Sequence, residues 1–338
     1  MNRRQGLVGS VDLADFRTTR LGPEPIVGAN WLYKVRTKWI LWGPDSTLRS
    51  PEIVADAGQT EDFSMVNRRS LSNLGIYVYG VGTIALGVNG LVWADFANNW
   101  QRVPKDVPYR EALACTAALY ELLGGAAILW RRTARVGAMM LALLYSVFAC
   151  LWVPPILASP QVYDVWGNFF EEFSLVIAAV VVCLSLTPPD SVLAGRTAQI
   201  ARGYGICVIS FALEHLFYIR ETASFVPAWI PPGQLFWAIA TAVFFLLAAF
   251  AILSGILAGL ASRLLTAMIV GFEILVWAPK LFAFPPEHFS WAGNGICLVL
   301  AGGAWVVADS INESRRANPK LERALSSASS GGWPWAST

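Results

Sequence analysis

Long apolar runs separated by short polar, charged or proline-bearing gaps set the pattern of this chain. Apolar windows recur at 74–94, 111–130, 136–157, 168–187, 204–219, 234–255, 264–283 and 291–309. Most are close to the ~20 residues a helix needs to cross a hydrocarbon layer of about 30 Å. The gaps hold the charges and the breakers, such as Arg131–Arg132 with Arg135, Pro188–Pro189–Asp190 and Pro285–Pro286. A membrane β-barrel strand alternates apolar and polar positions. Val176-Ile177-Ala178-Ala179-Val180-Val181-Val182 does not alternate, so the pattern predicts helices: an all-α polytopic membrane protein with eight transmembrane spans.

Composition sharpens that reading. Of 338 residues 55% are hydrophobic and only 14% charged, against about 45–50% and 25% in an ordinary soluble domain. Mean hydropathy is +0.50. A soluble fold of this size has too little interior to hide that much apolar surface, and a disordered, collagenous or disulfide-stapled chain is equally excluded. The five cysteines, Cys115, Cys150, Cys183, Cys207 and Cys297, lie scattered in apolar runs without a CxxC. They read as buried thiols, and no metal site is expected from them.

A net charge of +2 says little until the charges are placed. Arg68, Arg69, Arg131, Arg132, Arg135, Arg196, Arg202, Arg263 and the group Arg315–Arg323 fall on one side of the predicted spans. The other side has Arg102, Lys105, Arg110, Arg220 and Lys280, diluted by acidic residues. The positive-inside rule then puts both termini in the cytoplasm, with the chain in a cell (inner or plasma) membrane. Residues 1–69 carry mixed charges with prolines and glycines and no spanning run. They read as a largely disordered cytoplasmic tail, within which Trp31–Trp42 is the one candidate for an amphipathic surface segment. No apolar stretch of the signal-peptide kind follows Met1, and Met65 is an alternative start. The Ser/Gly-rich end, 313–338, reads as a second disordered tail.

The chain also repeats itself. Tyr79-Gly80 returns as Tyr204-Gly205, and the loop Val103-Pro104 to Val107-Pro108 as Val226-Pro227 to Ile230-Pro231. Trp152-Val153-Pro154 matches Trp277-Ala278-Pro279, and Trp166-Gly167-Asn168 matches Trp291 to Asn294. With the apolar match of 122–129 to 246–253, the partners keep a spacing of about 125 residues in order, the mark of tandem units. The expected architecture is two tandem four-helix bundles, 70–190 and 191–312, in a parallel repeat because four spans return the chain to its starting side. Each VPxxVP loop has few conformations to lose and is expected to form an ordered cap.

Each half resembles a member of the DoxX family of small four-helix membrane proteins. The second half is the closer: Glu214-His215 in its first helix, then Phe225 to Pro232, Leu235-Phe236-Trp237 opening the next helix, Ala261-Ser262-Arg263 between helices two and three, and Trp277 before Pro279. The first half keeps the proline loop and the arginine-rich turn but has Asn89 and Gly90 where the second has Glu214 and His215. The likeness covers about 70–315 and implies a subunit or accessory of a quinone-linked membrane redox or oxidative-stress system, since the family is named from a subunit of a thiosulfate:quinone oxidoreductase. It implies quinone as the cofactor to consider, and the lipid bilayer, a redox protein and a second copy of the chain as partners. It implies no nucleic acid.

Ionisable groups inside a membrane demand a reason. Glu121, Glu214 and Glu273 fall near mid-membrane when depth is counted at about 1.5 Å per residue from the predicted span ends. Glu214 and His215 are the candidate functional pair, with Glu273, Lys280 and the Tyr218 hydroxyl as candidate partners of Glu214. Asn89 stands at the matching place in the first half. Glu273, Trp277 and Lys280, at i, i+4 and i+7, share a helix face, with Lys280 free to snorkel outward. His215 and His288 are too differently placed to read as a haem pair. Trp152, Trp166, Trp229, Trp237 and Trp291 read as an interfacial aromatic belt, and Gly255–Gly259 as a GxxxG helix contact. No Walker, HExxH, GxGxxG or Ser/His/Asp pattern appears, so no self-contained catalytic motif is present. Two other classes stay open: a small-solute or proton-coupled transporter using the mid-membrane carboxylates, and a structural scaffold in which they are all paired.

Overall fold

The apolar windows fold as helices in the computed structural model, which describes residues 74–97, 99–187 and 192–317. The tail read at 1–69, its Trp31–Trp42 segment and the alternative start at Met65 lie outside the described residues, as does 318–338. In chain order the elements are α1 (Leu74–Trp93), α2 (Arg110–Leu129), α3 (Ala134–Leu151), a short α4 (Val153–Ala158), α5 (Tyr163–Ser185), α6 (Val192–Phe217) and α7 (Ile219–Phe225). There follow α8 (Gln234–Ser254), α9 (Ala258–Phe272), a π-helical turn (Glu273–Trp277), α10 (Ala278–Ala283) and α11 (His288–Ala317). Among the described residues there is no strand, and eight helical segments are long and apolar enough to cross a membrane. That is the build of a multi-pass membrane protein.

Large side chains go outward and small ones inward. On α8, Phe236, Phe244, Leu247 and Phe250 are exposed, while Ala238, Ala242, Ala248 and Ala249 are buried. Water would never leave so many large apolar groups outside, but hydrocarbon does, and small residues inside let helix backbones approach. Two contacts depend on this. A Cβ on Gly302 of α11 would collide with the Tyr79 backbone of α1, and one on Gly87 of α1 would stand 2.6 Å from the Ala118 carbonyl of α2.

The helices pair in sequence and then across. α1 packs on α2, α2 on α3 and α3 on α5; α6 packs on α8, α8 on α9 and α9 on α11. The two groups meet where α11 lies along α1 and α5 along α6, and α11 also touches α5.

Proline decides where spans break. Pro154 follows the end of α3 and sits at the start of α4. Pro279 follows the π turn, in which the Ala278 N–H bonds the Glu273 carbonyl five residues back. A helical proline ring clashes with the carbonyl four residues before it; for Pro279 that is Leu275, and the wider turn relieves the clash.

Several expectations move. α5 begins at Tyr163, five residues before its window, and α6 at Val192 rather than near 204, because Arg196, Thr197 and Arg202 continue the helix past the apolar run. α11 extends through Ala317, into the stretch read as a tail. The GxxxG stretch is not a face of one helix: Gly255 ends α8 at φ 79°, and only Gly259, in α9, meets α11, where the Asn312 amide donates to its carbonyl at 3.3 Å. Trp152 is no belt residue; it is 2% exposed and its indole donates to the Trp100 carbonyl at 2.8 Å. Trp229 and Trp291 are exposed as a belt requires.

Both proline loops form hydrogen-bonded turns. The Val107 N–H reaches the Pro104 carbonyl, the Ile230 N–H the Pro227 carbonyl, and the Gln234 side-chain amide donates to Val226 at 2.6 Å. Three helix starts carry one device. The indoles of Trp166, Trp237 and Trp291 each donate to a proline carbonyl six residues earlier, those of Pro160, Pro231 and Pro285, at 2.8–3.1 Å.

Candidate functional site

At the end of the molecule that carries the proline loops, a cleft of about 710 Å³ opens between α5, α6, α8, the π turn and α11. Its wall is aromatic. Phe211 meets Phe245 edge-on, Phe272 is tilted against Phe245, and Trp277 packs edge-on against Trp100 and Phe289. Trp100 enters from the α1–α2 loop and is only 7% exposed. Glu171, Glu214, His215 and Thr241 line the interior, with Asp164, Asn168 and Tyr218 also on the wall and Arg102 at the loop side. The Arg102 guanidinium lies over the Trp152 ring, 5.0 Å from its centroid.

Two glycines make room for the site. A Cβ at Gly167 of α5 would run into the carboxylate of Glu214, and a Cβ at Gly293 of α11 into the ring of Trp277. Glu214 therefore lies directly on the α5 backbone. Its Oε2 is buried without a hydrogen-bond partner.

His215, the next residue, turns about 100° away and meets α8, where its Nδ1 lies 3.1 Å from the Thr241 hydroxyl. That hydroxyl spends its single hydrogen on backbone carbonyls, Trp237 at 2.9 Å or Ala238 at 3.1 Å. With that hydrogen on a carbonyl, Nδ1 is the donor, and the neutral ring then presents Nε2 as an acceptor. The ring also packs edge-on against Phe245, with centroids 5.1 Å apart. One wall of the cleft thus brings together the His215 imidazole, the Glu214 carboxyl and aromatic faces, with Glu214 Oε2 packed on α5.

The partners expected for Glu214 are engaged elsewhere. Glu273 accepts from the Asn294 amide at 2.6 Å. The Lys280 ammonium sits 3.9 Å from the centroid of Phe225 and 4.7 Å from that of Trp277. It is held by cation–π contacts. The Tyr218 hydroxyl accepts from the Asp164 backbone N–H at 3.1 Å. Glu214 and His215 share the cleft but do not bond each other's partners. Glu214 lies three residues from the end of α6, toward the proline loops.

The remaining candidates stand apart. Glu121 is 1% exposed on α2 and accepts from the Gln101 amide at 2.7 Å. Asn89 is buried on α1 with its Oδ1 unpartnered. His288 stacks on Trp93, with centroids 5.1 Å apart. Among the described residues, no group of three or more His, Cys, Asp or Glu side chains gathers in the way a metal ion requires.

Sequence reasoning passed over Glu171 and Glu172. The apolar window began at 168, only three and four residues before them. The helix starts at Tyr163, which carries them about 12–14 Å inward. Tyr163 and Val165 ahead of them were the available signal. No family model, no curated protein and no solved structure matches the chain.

Proposed function

We propose that this chain is a membrane subunit or accessory of a quinone-linked redox system, and that the cleft takes the ring of a quinone or quinol. The observation that carries this is the pairing, on one aromatic wall, of the His215 imidazole with the Glu214 carboxyl. A quinol presents two hydroxyl donors on a flat ring. Nε2 and the Glu214 oxygen can each accept one, while Phe245, Phe272 and Trp277 pack the ring faces. A quinone needs donors instead, which the Tyr218 hydroxyl and the carboxylic-acid form of Glu214 supply. With no self-contained catalytic motif in the chain, a partner protein would deliver or remove the electrons.

The same proposal gives the chain a DoxX-like architecture of two tandem four-helix units in a parallel repeat, with both termini cytoplasmic. Support comes from the pairing of helices. Exchanging α1, α2, α3 and α5 with α6, α8, α9 and α11 maps α1–α2 onto α6–α8 and α3–α5 onto α9–α11, and interchanges the cross-contacts α5–α6 and α11–α1. The Trp-x-Pro breaks after α3 and after the π turn fall at corresponding places.

The transporter reading keeps one observation of its own: Asp164, Glu171 and Glu214 bring three carboxyls to one open cleft, as a cationic solute would require. Purification in mild detergent, followed by quantification of extracted quinone and of proteins that copurify, separates the two. Stoichiometric quinone that is lost in Glu214→Gln and in His215→Asn, with unfolding temperature unchanged, supports the redox reading. Quinone absent from the wild type, with proteoliposomes that accumulate an organic cation, replaces it with the transporter.

A further inference from the structure

Behind the cleft wall, the helices α1, α2, α3 and α5 enclose a second set of polar groups. Glu172 and Glu121 are each 1% exposed, and Tyr79, Tyr145 and Thr83 are fully buried. Glu172 and Glu121 lie close enough to each other and to Tyr79 and Tyr145 for a charge on either carboxyl to reach the other groups. Neither oxygen of Glu172 has a hydrogen-bond partner. The ion pair formed among the described residues is Arg110–Asp95, so no cation balances either carboxyl.

Counting hydrogens shows what this cluster lacks. The Tyr79 hydroxyl donates to the Leu175 carbonyl at 2.9 Å. The Thr83 hydroxyl donates to the Tyr79 carbonyl at 2.9 Å, so in the 3.2 Å contact between Thr83 and Tyr145 the tyrosine is the donor. Both phenol hydrogens and the threonine hydrogen are spent. The Gln101 amide oxygen accepts from the Ala97 N–H, which turns its NH₂ to Glu121. That is the one donor seen on the carboxyl pair. Four carboxyl oxygens therefore face one amide, and a buried carboxylate without donors or a cation is prohibitively costly.

The missing donor can come from the carboxyls themselves. We infer that Glu172 and Glu121 form a buried proton-binding site, at least one of them carrying a proton, which exchanges with the cleft through Glu171. The route follows from the helix: Glu171 lines the cleft, and Glu172, one residue and about 100° further round α5, faces the enclosed cluster. Two adjacent carboxyls thus stand on the two sides of one wall. Only a proton moves, from one carboxyl oxygen to another, and the site is independent of what occupies the cleft.

Infrared spectroscopy of the full chain in detergent at neutral pH tests this. The wild type should show the carbonyl stretch of a carboxylic acid that shifts in D₂O. Glu172→Gln and Glu121→Gln should each remove or displace that band. Glu171→Gln should keep it but slow its deuterium shift. No deuterium-sensitive acid band in the wild type, or a band unmoved by both glutamine variants, overturns the site; unchanged exchange in Glu171→Gln overturns the route. Should Glu172→Gln fail to fold, the wild-type band and Glu121→Gln decide. A band that appears only when sodium is withheld would make the cluster a cation site and equally overturn the proposal.

Discussion

Gly167 and Gly203 show how far the meaning of one residue type depends on its surroundings. Both lie within helices, where replacing glycine with alanine ordinarily gains about 0.5–1 kcal/mol. At Gly203 nothing lies within 4 Å of the added methyl group, whereas at Gly167 it meets the Glu214 carboxylate. Gly203→Ala should therefore raise the unfolding temperature in detergent slightly. Gly167→Ala should lower it, by an overpacking cost of about 1–3 kcal/mol, and displace Glu214 from the cleft. Equal shifts for the two variants would show that Glu214 does not rest on α5. Thr241 carries a second prediction. Thr241→Val keeps the shape but removes the acceptor that orients Nδ1 of His215. It should weaken quinol binding, read by tryptophan quenching, while unfolding shifts by only about 1 kcal/mol.

At the scale of elements, the π turn and the tryptophan–proline ties set the geometry of the cleft. The π turn adds a residue between Glu273 and Trp277, and both side chains face α11, one at Asn294 and the other over Gly293. Ile274 and Leu275 within it are exposed, so deleting Ile274 removes little packing. It should restore ordinary helix and turn Trp277 and Lys280 by about 100°, abolishing cleft binding while the chain still inserts; retained binding would mean the π turn is incidental. The indole ties at Trp166, Trp237 and Trp291 pin the first turns of α5, α8 and α11. Trp237→Phe keeps the ring but loses the bond to Pro231, at a cost of about 1 kcal/mol. Faster hydrogen exchange at the start of α8 than at the start of α5 is the expected readout.

For the whole molecule, the cross-contacts α11–α1 and α5–α6 interlock the two groups of four long helices. Each group gives its last helix to the other's first. Fragments 1–189 and 190–338 expressed separately should be degraded, and co-expressed they should recover a monodisperse complex on size exclusion. A single fragment that is stable alone would mean that the cross-contacts add little. The proposed orientation is checked with single cysteines at exposed places, Ala228→Cys and Arg132→Cys. A membrane-impermeant maleimide should label the first from outside in intact cells, and the second only after permeabilisation, each against the parent chain.

Much of this architecture was legible along the chain, because burial in hydrocarbon leaves a mark on every residue of a span. Eight apolar windows and their helical state follow from length and hydropathy, and both are local, whereas the breaks at Pro154 and Pro279 fall inside windows read as continuous. Helix ends were less legible, since hydropathy ends where charge begins, while the backbone of α6 continues helically through Arg196 and Arg202. Glu214 and His215 were visible as polar residues in an apolar run, yet their partners were not. Which atom Glu214 lies against depends on Gly167, some 47 positions away, and the His215 tautomer depends on where the Thr241 hydroxyl sends its hydrogen. Glu172 was invisible for the same reason: a carboxyl at the edge of an apolar window says nothing of the tyrosines whose hydrogens are already spent. The sequence by itself determined how many helices form and what they are made of, because those follow from each segment's own transfer free energy. Tertiary structure alone decided which polar groups are satisfied, because a hydrogen bond is a matter of two atoms meeting, and the helices that bring them together are distant in the chain.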